Sequence, residues 1–395
     1  MHVGVFLDDF KPEAGGGYTF VKDVAEAFFA IAGESRHRFT VFCTPEAAQQ
    51  LKRRALPANI QLVGLKPRNF FGRIISALKH LSPLFSVLWR WPSALERAAK
   101  NARVELLWFV GGFFDTPDMP YIATVWDAQH LTHPWFSEVS AKGRWEYREA
   151  FMRRHLKRAM RIITGTQTGK DELVQFYGLP EHRLCILPHP TPAFALQPRS
   201  TADAIKHFGL REGFLLYPAQ FWAHKNHANL LLALDVLRKR GEAVPQLALV
   251  GSDKGNKDYI LTFAARLGLA DHVRALGFVS VEELTALYQS AGAMVYTSLS
   301  GPENLPPLEA FALRCPVAIS NYSGSLEQLG DAAIYFDPHD PETIADAIVE
   351  ILRDSSGKHR RVEQGFKRAQ SWTGTDYVRG VFTLIDGCES ERRCW

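Results

Sequence analysis

The chain has 395 residues, 46% hydrophobic and 22% charged, with a formal net charge of +4. That length predicts two domains, each able to bury its own core, and the composition excludes disorder, collagen and coiled coil. No apolar run reaches the roughly 18 residues of a membrane-spanning helix; the richest, Leu81 to Trp91, is interrupted by Pro83 and Arg90.

Apolar runs alternate with amphipathic stretches along the chain. Val3 to Leu7 reads as a strand that ends at Asp8-Asp9, which argues against a signal peptide. A glycine turn and a helical pattern over Phe20 to Ile31 follow, then strand-like runs at Phe39 to Phe42, Ile60 to Leu65, Glu105 to Val110, Ile122 to Val125 and Ile162-Ile163. Pro188, Pro190, Pro192 and Pro198 mark a linker. The pattern restarts with strands at Phe214 to Tyr217, Gln246 to Val250, Val273 to Leu276, Ala293 to Tyr296, Val317 to Ser320 and Ala333 to Phe336. Helical patterns over Asn229 to Arg240, Lys257 to Leu267, Glu282 to Ser290 and Pro341 to Leu352 separate them. This alternation predicts two doubly wound α/β domains split near residue 195, with a ligand cleft between them.

The charge is divided. Residues 1–195 hold 25 Lys/Arg against 18 Asp/Glu, a net +7, and the remainder is at −3. Between Leu51 and Arg103 eleven basic residues face one acid, Glu96, which favours an anionic partner. Five scattered cysteines (Cys43, Cys185, Cys315, Cys388, Cys394) form no CxxC pair, so free thiols in a reducing compartment are expected. The sequon at Asn321 is then accidental.

Three stretches carry chemistry. Gly15-Gly16-Gly17 lies between a strand and a helix; it is either a tight turn or a place where backbone amides approach an anion. Beyond the strand at Phe214, the stretch Tyr217 to His227 contains Lys225, placed to neutralise a phosphate. Its flanking His224 and His227 lack further ligands for zinc. Beyond the strand at Ala293, Gly301-Pro302 reads as a turn and Pro306-Pro307 as a helix start, with Glu309 in the first turn. Glu309 either serves the helix dipole or accepts two sugar hydroxyls, and the amides beside Glu303 and Asn304 are free to hold a ligand oxygen.

The strings YPAQFWAHKNHANLLLAL, LGFVSVEELTALYQSAGAMVYTS, GPENLPPLEAFALRCPVAIS and YFDPHDPETIADAI resemble family-four retaining glycosyltransferases. The likeness is closest to bacterial members that build O-antigen, capsule or other surface polysaccharides. It is detailed over residues 210–350 and looser before that, through GGG, TVWDAQH and Ile162 to Tyr177. It implies a GT-B fold, two Rossmann-like domains facing across a cleft: an acceptor domain over 1–195, with a helix 374–395 packing back on it, and a donor domain over 196–373.

The resemblance further implies residue roles. Lys225 contacts the donor diphosphate, Glu309 the ribose, and Gly16 and Gly17 offer amides to the diphosphate. The donor set is completed by Gln220, Asn226, Asn304 and Leu305. Gln220 stands where the family commonly has Arg, and Gly301 where it has the first glutamate of its E-x7-E pattern, so Glu303 and Asn304 are expected to take over its contacts to the donor sugar hydroxyls. The family's His-Asp pair reads Trp126-Asp127, so either Asp127 or His130 is expected to replace the histidine near the transferred sugar, Asp127 as a positioning group or base, with Trp126 and His130 on the acceptor side. The partners implied are a nucleotide-sugar donor and a glycan or lipid-linked acceptor, with no nucleic acid. The sugar is a hexose and the reaction metal-free, with no cofactor. UDP-, GDP- and dTDP-sugars stay open, GDP-mannose leading on family habit. Asn69 to Trp91, rich in aromatics and bases, is expected on an anionic membrane surface. A cytoplasmic enzyme at the inner face of the membrane follows. The alternative is a weakened, sugar-binding subunit of a synthesis complex.

Overall fold

The computed structural model describes residues 1–8, 15–65, 92–112, 118–199, 203–322, 324–353, 356–392 and 394. The stretch from Asn69 to Trp91, expected on a membrane, lies outside them.

Seven short strands build the first sheet: β1 (His2–Phe6), β2 (Arg38–Cys43), β3 (Ile60–Gly64), β4 (Leu106–Phe109), β5 (Tyr121–Thr124), β6 (Arg161–Thr164) and β7 (Leu184–Ile186). They run in the order β3-β2-β1-β4-β5-β6-β7, all parallel. The second sheet holds β8 (Leu215–Pro218), β9 (Leu247–Val250), β10 (Val273–Gly277), β11 (Ala293–Tyr296), β12 (Val317–Ser320) and β13 (Ile334–Phe336), ordered β10-β9-β8-β11-β12-β13 and again parallel. Helices cover both faces, so β4, β5, β9, β11 and β12 are buried at every position. This is why they read as unbroken apolar runs.

Strand order reverses between β1 and β4 and again between β8 and β11. At such a switch point adjacent loops diverge and leave a crevice beyond the carboxyl ends of the strands. The glycine turn follows β1, the Gln220–Lys225 stretch follows β8, and the proline-glutamate loop follows β11.

The chain crosses between domains twice. The two crossings touch: Thr191 N–H donates to the Trp372 carbonyl at 3.2 Å, and Trp372 Nε1 to the Pro188 carbonyl at 2.8 Å. Ala195, at the expected split, packs in the second core. Helix Gly374–Gly387 opens on a Thr373/Asp376 capping box and returns to the first domain. There Tyr377, Val378, Val381, Phe382 and Ile385 join the core of Phe28 and Phe39, with the Phe382 ring stacked 5.6 Å from Phe39. It ends at Gly387, and a separate turn Glu389–Arg392 follows where one continuous helix is expected.

Candidate active site

Lys225 closes a short 3-10 turn, Ala223–Lys225, that leads into helix His227–Lys239. Its Nζ lies 2.9 Å from the Tyr296 hydroxyl, 3.2 Å from Asn304 Oδ1 and 3.3 Å from Ser298 Oγ. All three are neutral oxygens, so among the described residues no carboxylate neutralises the ammonium by direct contact. Burial lowers its pKa to about 8, against the pull of Asp127 and Glu138 in the facing domain. An ammonium held by neutral groups keeps its field available to an anion.

The neighbours of Lys225 are fixed in turn. Asn226 sits at φ 57 between the turn and the helix, and its side-chain amide donates to the Pro338 carbonyl at 2.8 Å. That bond ties it to the scaffold, where sequence suggests a donor contact. Asn304 accepts from Lys225 and Tyr296 on Oδ1, while its amide donates to the Tyr322 hydroxyl at 2.8 Å. Gln328 brackets the Asn304 backbone at both N–H and carbonyl. Asn304 is therefore a rigid relay behind Lys225.

Gln220 is pinned. Its Oε1 accepts from Trp222 Nε1 at 2.9 Å and its Nε2 reaches Ser252 Oγ at 3.2 Å. Across the cleft stands Gly15, at φ 73 and ψ −128, a conformation open essentially to glycine. A Cβ on Gly15 would meet Gln220 Nε2 at 3.3 Å, so the glycine turn and the Gln220 loop are in near contact. Among the described residues no side chain caps helix Gly16–Ile31, whose first turn holds Gly16 and Gly17. Leu305 packs from the second domain into the first core, near Gly16.

The two glutamates differ. Glu309 is buried one turn into helix Leu305–Ala312, with Oε2 accepting from the Tyr288 hydroxyl at 2.8 Å; burial raises its pKa to about 7. Glu303 points into the first domain. Its Oε1 accepts from His189 N–H at 2.9 Å, and its carboxyl fills the space above Gly165, where a Cβ would sit 1.4 Å from Oε2. With that side chain 3% exposed and burial raising its pKa to about 8, Glu303 braces the two domains in this arrangement rather than facing a sugar.

On the first-domain side, Asp127 accepts from Arg148 Nη2 and from Gln129 N–H, each at 2.8 Å. Burial would raise its pKa, but Arg148 and the Gln129 amide outweigh it and hold the carboxylate below its ordinary range. Trp126 packs beside Phe20 and His189, with ring centroids 5.6 and 6.5 Å away, and covers Gly112. His130 turns away from the cleft. It is 0% exposed, with Nε2 3.2 Å from both Glu149 Oε2 and the Tyr177 hydroxyl. The structure thus places His130 in the first-domain core, away from the surface where an acceptor contact is expected, with Nε2 partnered by Glu149 and Tyr177.

Two participants escape sequence reading. Arg148 holds Asp127, and Glu138 reaches across to the second domain. Glu138 Oε1 accepts from His224 N–H at 3.0 Å and lies 2.7 Å from His224 Nδ1. Burial works to raise its pKa, but these contacts prevail and bring it to about 2. Neither residue sits in a motif, and 86 positions separate Glu138 from His224.

A cavity of about 150 Å³ lies at the carboxyl ends of β1 and β2, lined by Asp8, Tyr18, Lys22 and Thr44 among others. A larger one, about 370 Å³, lies at the amino ends of β5 and β6, away from this chemistry. Among the described residues no three His, Cys, Asp or Glu side chains are grouped to hold a metal ion, and no helix is long and apolar enough to cross a membrane.

Two facing parallel-sheet domains, each with a switch point, place Lys225 beyond the carboxyl end of a central strand of the second, an arrangement of GT-B type. Similarity to known proteins agrees. Residues 14–192 match Glycosyltransferase Family 4 and residues 199–368 match Glycosyl transferases group 1; the chain belongs to these glycosyltransferases. It is 27% identical to O-antigen chain mannosyltransferase B of Escherichia coli over 64% of this chain and 66% of that protein. It is 26% identical to O-antigen chain mannosyltransferase RfbU of Salmonella typhimurium over 52% and 54%. The similar region thus spans about half to two thirds of these relatives. In fold it resembles Anabaena HepE, crystallised with UDP and glucose, at a TM-score of 0.69, 16% identity, and coverage of 98% of this chain and 100% of that one. WaaG, a glycosyltransferase involved in lipopolysaccharide biosynthesis, superposes at 0.67, with 17% identity and coverage of 98% and 100%.

Proposed function

We propose that the chain transfers a hexose, with retention, from a nucleotide-sugar to a glycan or lipid-linked acceptor in surface polysaccharide synthesis, GDP-mannose being the leading donor. The observation that carries this is the Lys225 ammonium, caged by the neutral oxygens of Tyr296, Ser298 and Asn304 at the carboxyl end of the second sheet. The names of the mannosyltransferase relatives support the choice of sugar.

In this reading Lys225 and the amides of Gly16 and Gly17 stabilise charge on the leaving diphosphate. Such preorganised groups cost no reorganisation as the bond breaks. Glu309 accepts a ribose hydroxyl on Oε1, its Oε2 being engaged by Tyr288. Attack comes from the face the leaving group vacates, and a donor phosphate oxygen takes the acceptor proton. Asp127, held ionised by Arg148, is a poor base at neutral pH. It suits a role in orienting the acceptor and in supporting oxocarbenium-like charge. No residue here is needed as a nucleophile, and the reaction is proposed to run without metal or cofactor. The anionic membrane surface remains the proposed partner of the basic segment and the inner face of the membrane its proposed location.

Incubation with GDP-mannose and a lipid-linked acceptor, read by proton NMR of the new anomeric centre, tests this. An axial product linkage supports it; an inverted linkage, or no transfer from any of the GDP-, UDP- or dTDP-hexoses, contradicts it. A second reading, a weakened sugar-binding subunit, draws on the neutral Gln220 held by Trp222 and Ser252. Turnover by the purified chain removes it.

A further inference from the structure

Resting on that reading of Lys225, we infer that Glu138 is a positioning residue: from the acceptor domain it sets the turn that presents the donor lysine. Glu138 belongs to a short helix, Ser137–Ser140, beyond β5, and His224 immediately precedes Lys225. One carboxylate oxygen engages both the backbone N–H and the ring Nδ1 of His224. Two such contacts from one oxygen fix the backbone as well as the side chain of the residue next to the lysine. The His224 carbonyl in turn accepts from Leu299 N–H at 2.8 Å, which links the turn to the loop carrying Ser298 and Ser300. Phe136 packs its ring 6.1 Å from the His224 ring and helps shield the pair from water.

The pair is nearly dry. The Glu138 side chain is 6% exposed and that of His224 12%, so screening by solvent is slight. It also spans domains. Among the described residues, the contacts that build the Lys225 cage come from the donor domain, whereas this one requires the acceptor domain to be in place. Glu138 therefore couples the relative position of the domains to the placement of the diphosphate-binding cation. A further brace, Glu303 on His189 N–H, acts on a different loop and does not touch the lysine turn.

Isothermal titration of UDP, GDP, dTDP and their nucleosides into wild type, Glu138→Ala, Glu138→Gln, Lys225→Met and the Glu138→Ala/Lys225→Met double variant tests this. Glu138→Ala should weaken the preferred nucleoside diphosphate about tenfold and leave its nucleoside unchanged. Glu138→Gln, which keeps an acceptor oxygen, should fall between. In the Lys225→Met background Glu138→Ala should cost nothing further. Equal loss for nucleoside and diphosphate, independent losses in the double variant, or wild-type affinity in Glu138→Ala would overturn the proposal. A wild-type chain that binds none of UDP, GDP and dTDP would overturn the donor-site reading beneath it; one that binds normally whatever stands at 138 defeats only this step.

Discussion

Asn304 Oδ1 stands 3.2 Å from Lys225 Nζ and 3.0 Å from the Tyr296 hydroxyl, joining the loops after β8 and β11 through one amide. The lysine is thus held in place before any donor arrives, by dipoles rather than by a competing charge. Lys225→Met should cut transfer by at least ~100-fold, the scale of losing one preorganised donor to developing charge. The fold should survive, because the residues left behind are neutral and can pair with one another. Initial-rate kinetics alongside a thermal melt check this; turnover within a few-fold of wild type would reject the assignment.

Burial sets a pH limit on the same group. With the Lys225 pKa lowered to about 8, its charge is present below that pH and lost above it. Affinity for a nucleoside diphosphate should therefore decline as pH rises through about 8, while affinity for the nucleoside stays flat. A titration series from pH 6.5 to 9.5 reads this directly, and a flat diphosphate profile would exclude Lys225 as the cation.

Glu303 predicts an effect on stability. Its pKa is raised from 4.5 to about 8 in the fold, so the folded state binds the proton more tightly than the unfolded chain. The stabilisation is full below the unfolded value and is lost as pH climbs through about 8. Protonated Glu303 faces His189, whose own pKa burial lowers to about 4 and whose Nδ1 lies 3.5 Å from Oε2. Gln is the neutral isostere. Glu303→Gln should match wild type near pH 5 and melt about 3 °C or more higher at pH 8.5. Equal melting at both pH values would reject the neutral brace.

Gly15 is the narrow point of the first domain's turn. At φ 73 and ψ −128 an L-residue is strained by about 1–3 kcal/mol, and a Cβ would press on Gln220. Gly15→Ala should lower stability by that amount and also weaken diphosphate binding. A lower melting temperature with unchanged affinity would confine its role to the turn.

Much of this was readable in advance, for identifiable reasons. Strands buried on both faces, such as β4 and β9, are apolar throughout and stand out from amphipathic helices. β7 escapes because it has three residues between a basic turn and prolines. Lys225 and Glu309 are marked by their positions after strands. His130 misleads, since its partners Glu149 and Tyr177 are distant in sequence and only the fold shows the ring to be buried. Glu138 and Arg148 are illegible for the same reason: each acts on a partner that nothing in its own stretch predicts.

The central claim is that Lys225 holds a nucleoside diphosphate at the switch point of the second sheet. A thermal-shift panel of UDP, GDP, ADP and dTDP on wild type and Lys225→Met tests it most directly, because a ligand stabilises the native state according to its affinity. One nucleotide should raise the wild-type melting temperature clearly above the other three, and the variant should lose most of that rise. No shift with any of the four, or an equal shift in Lys225→Met, would contradict the account.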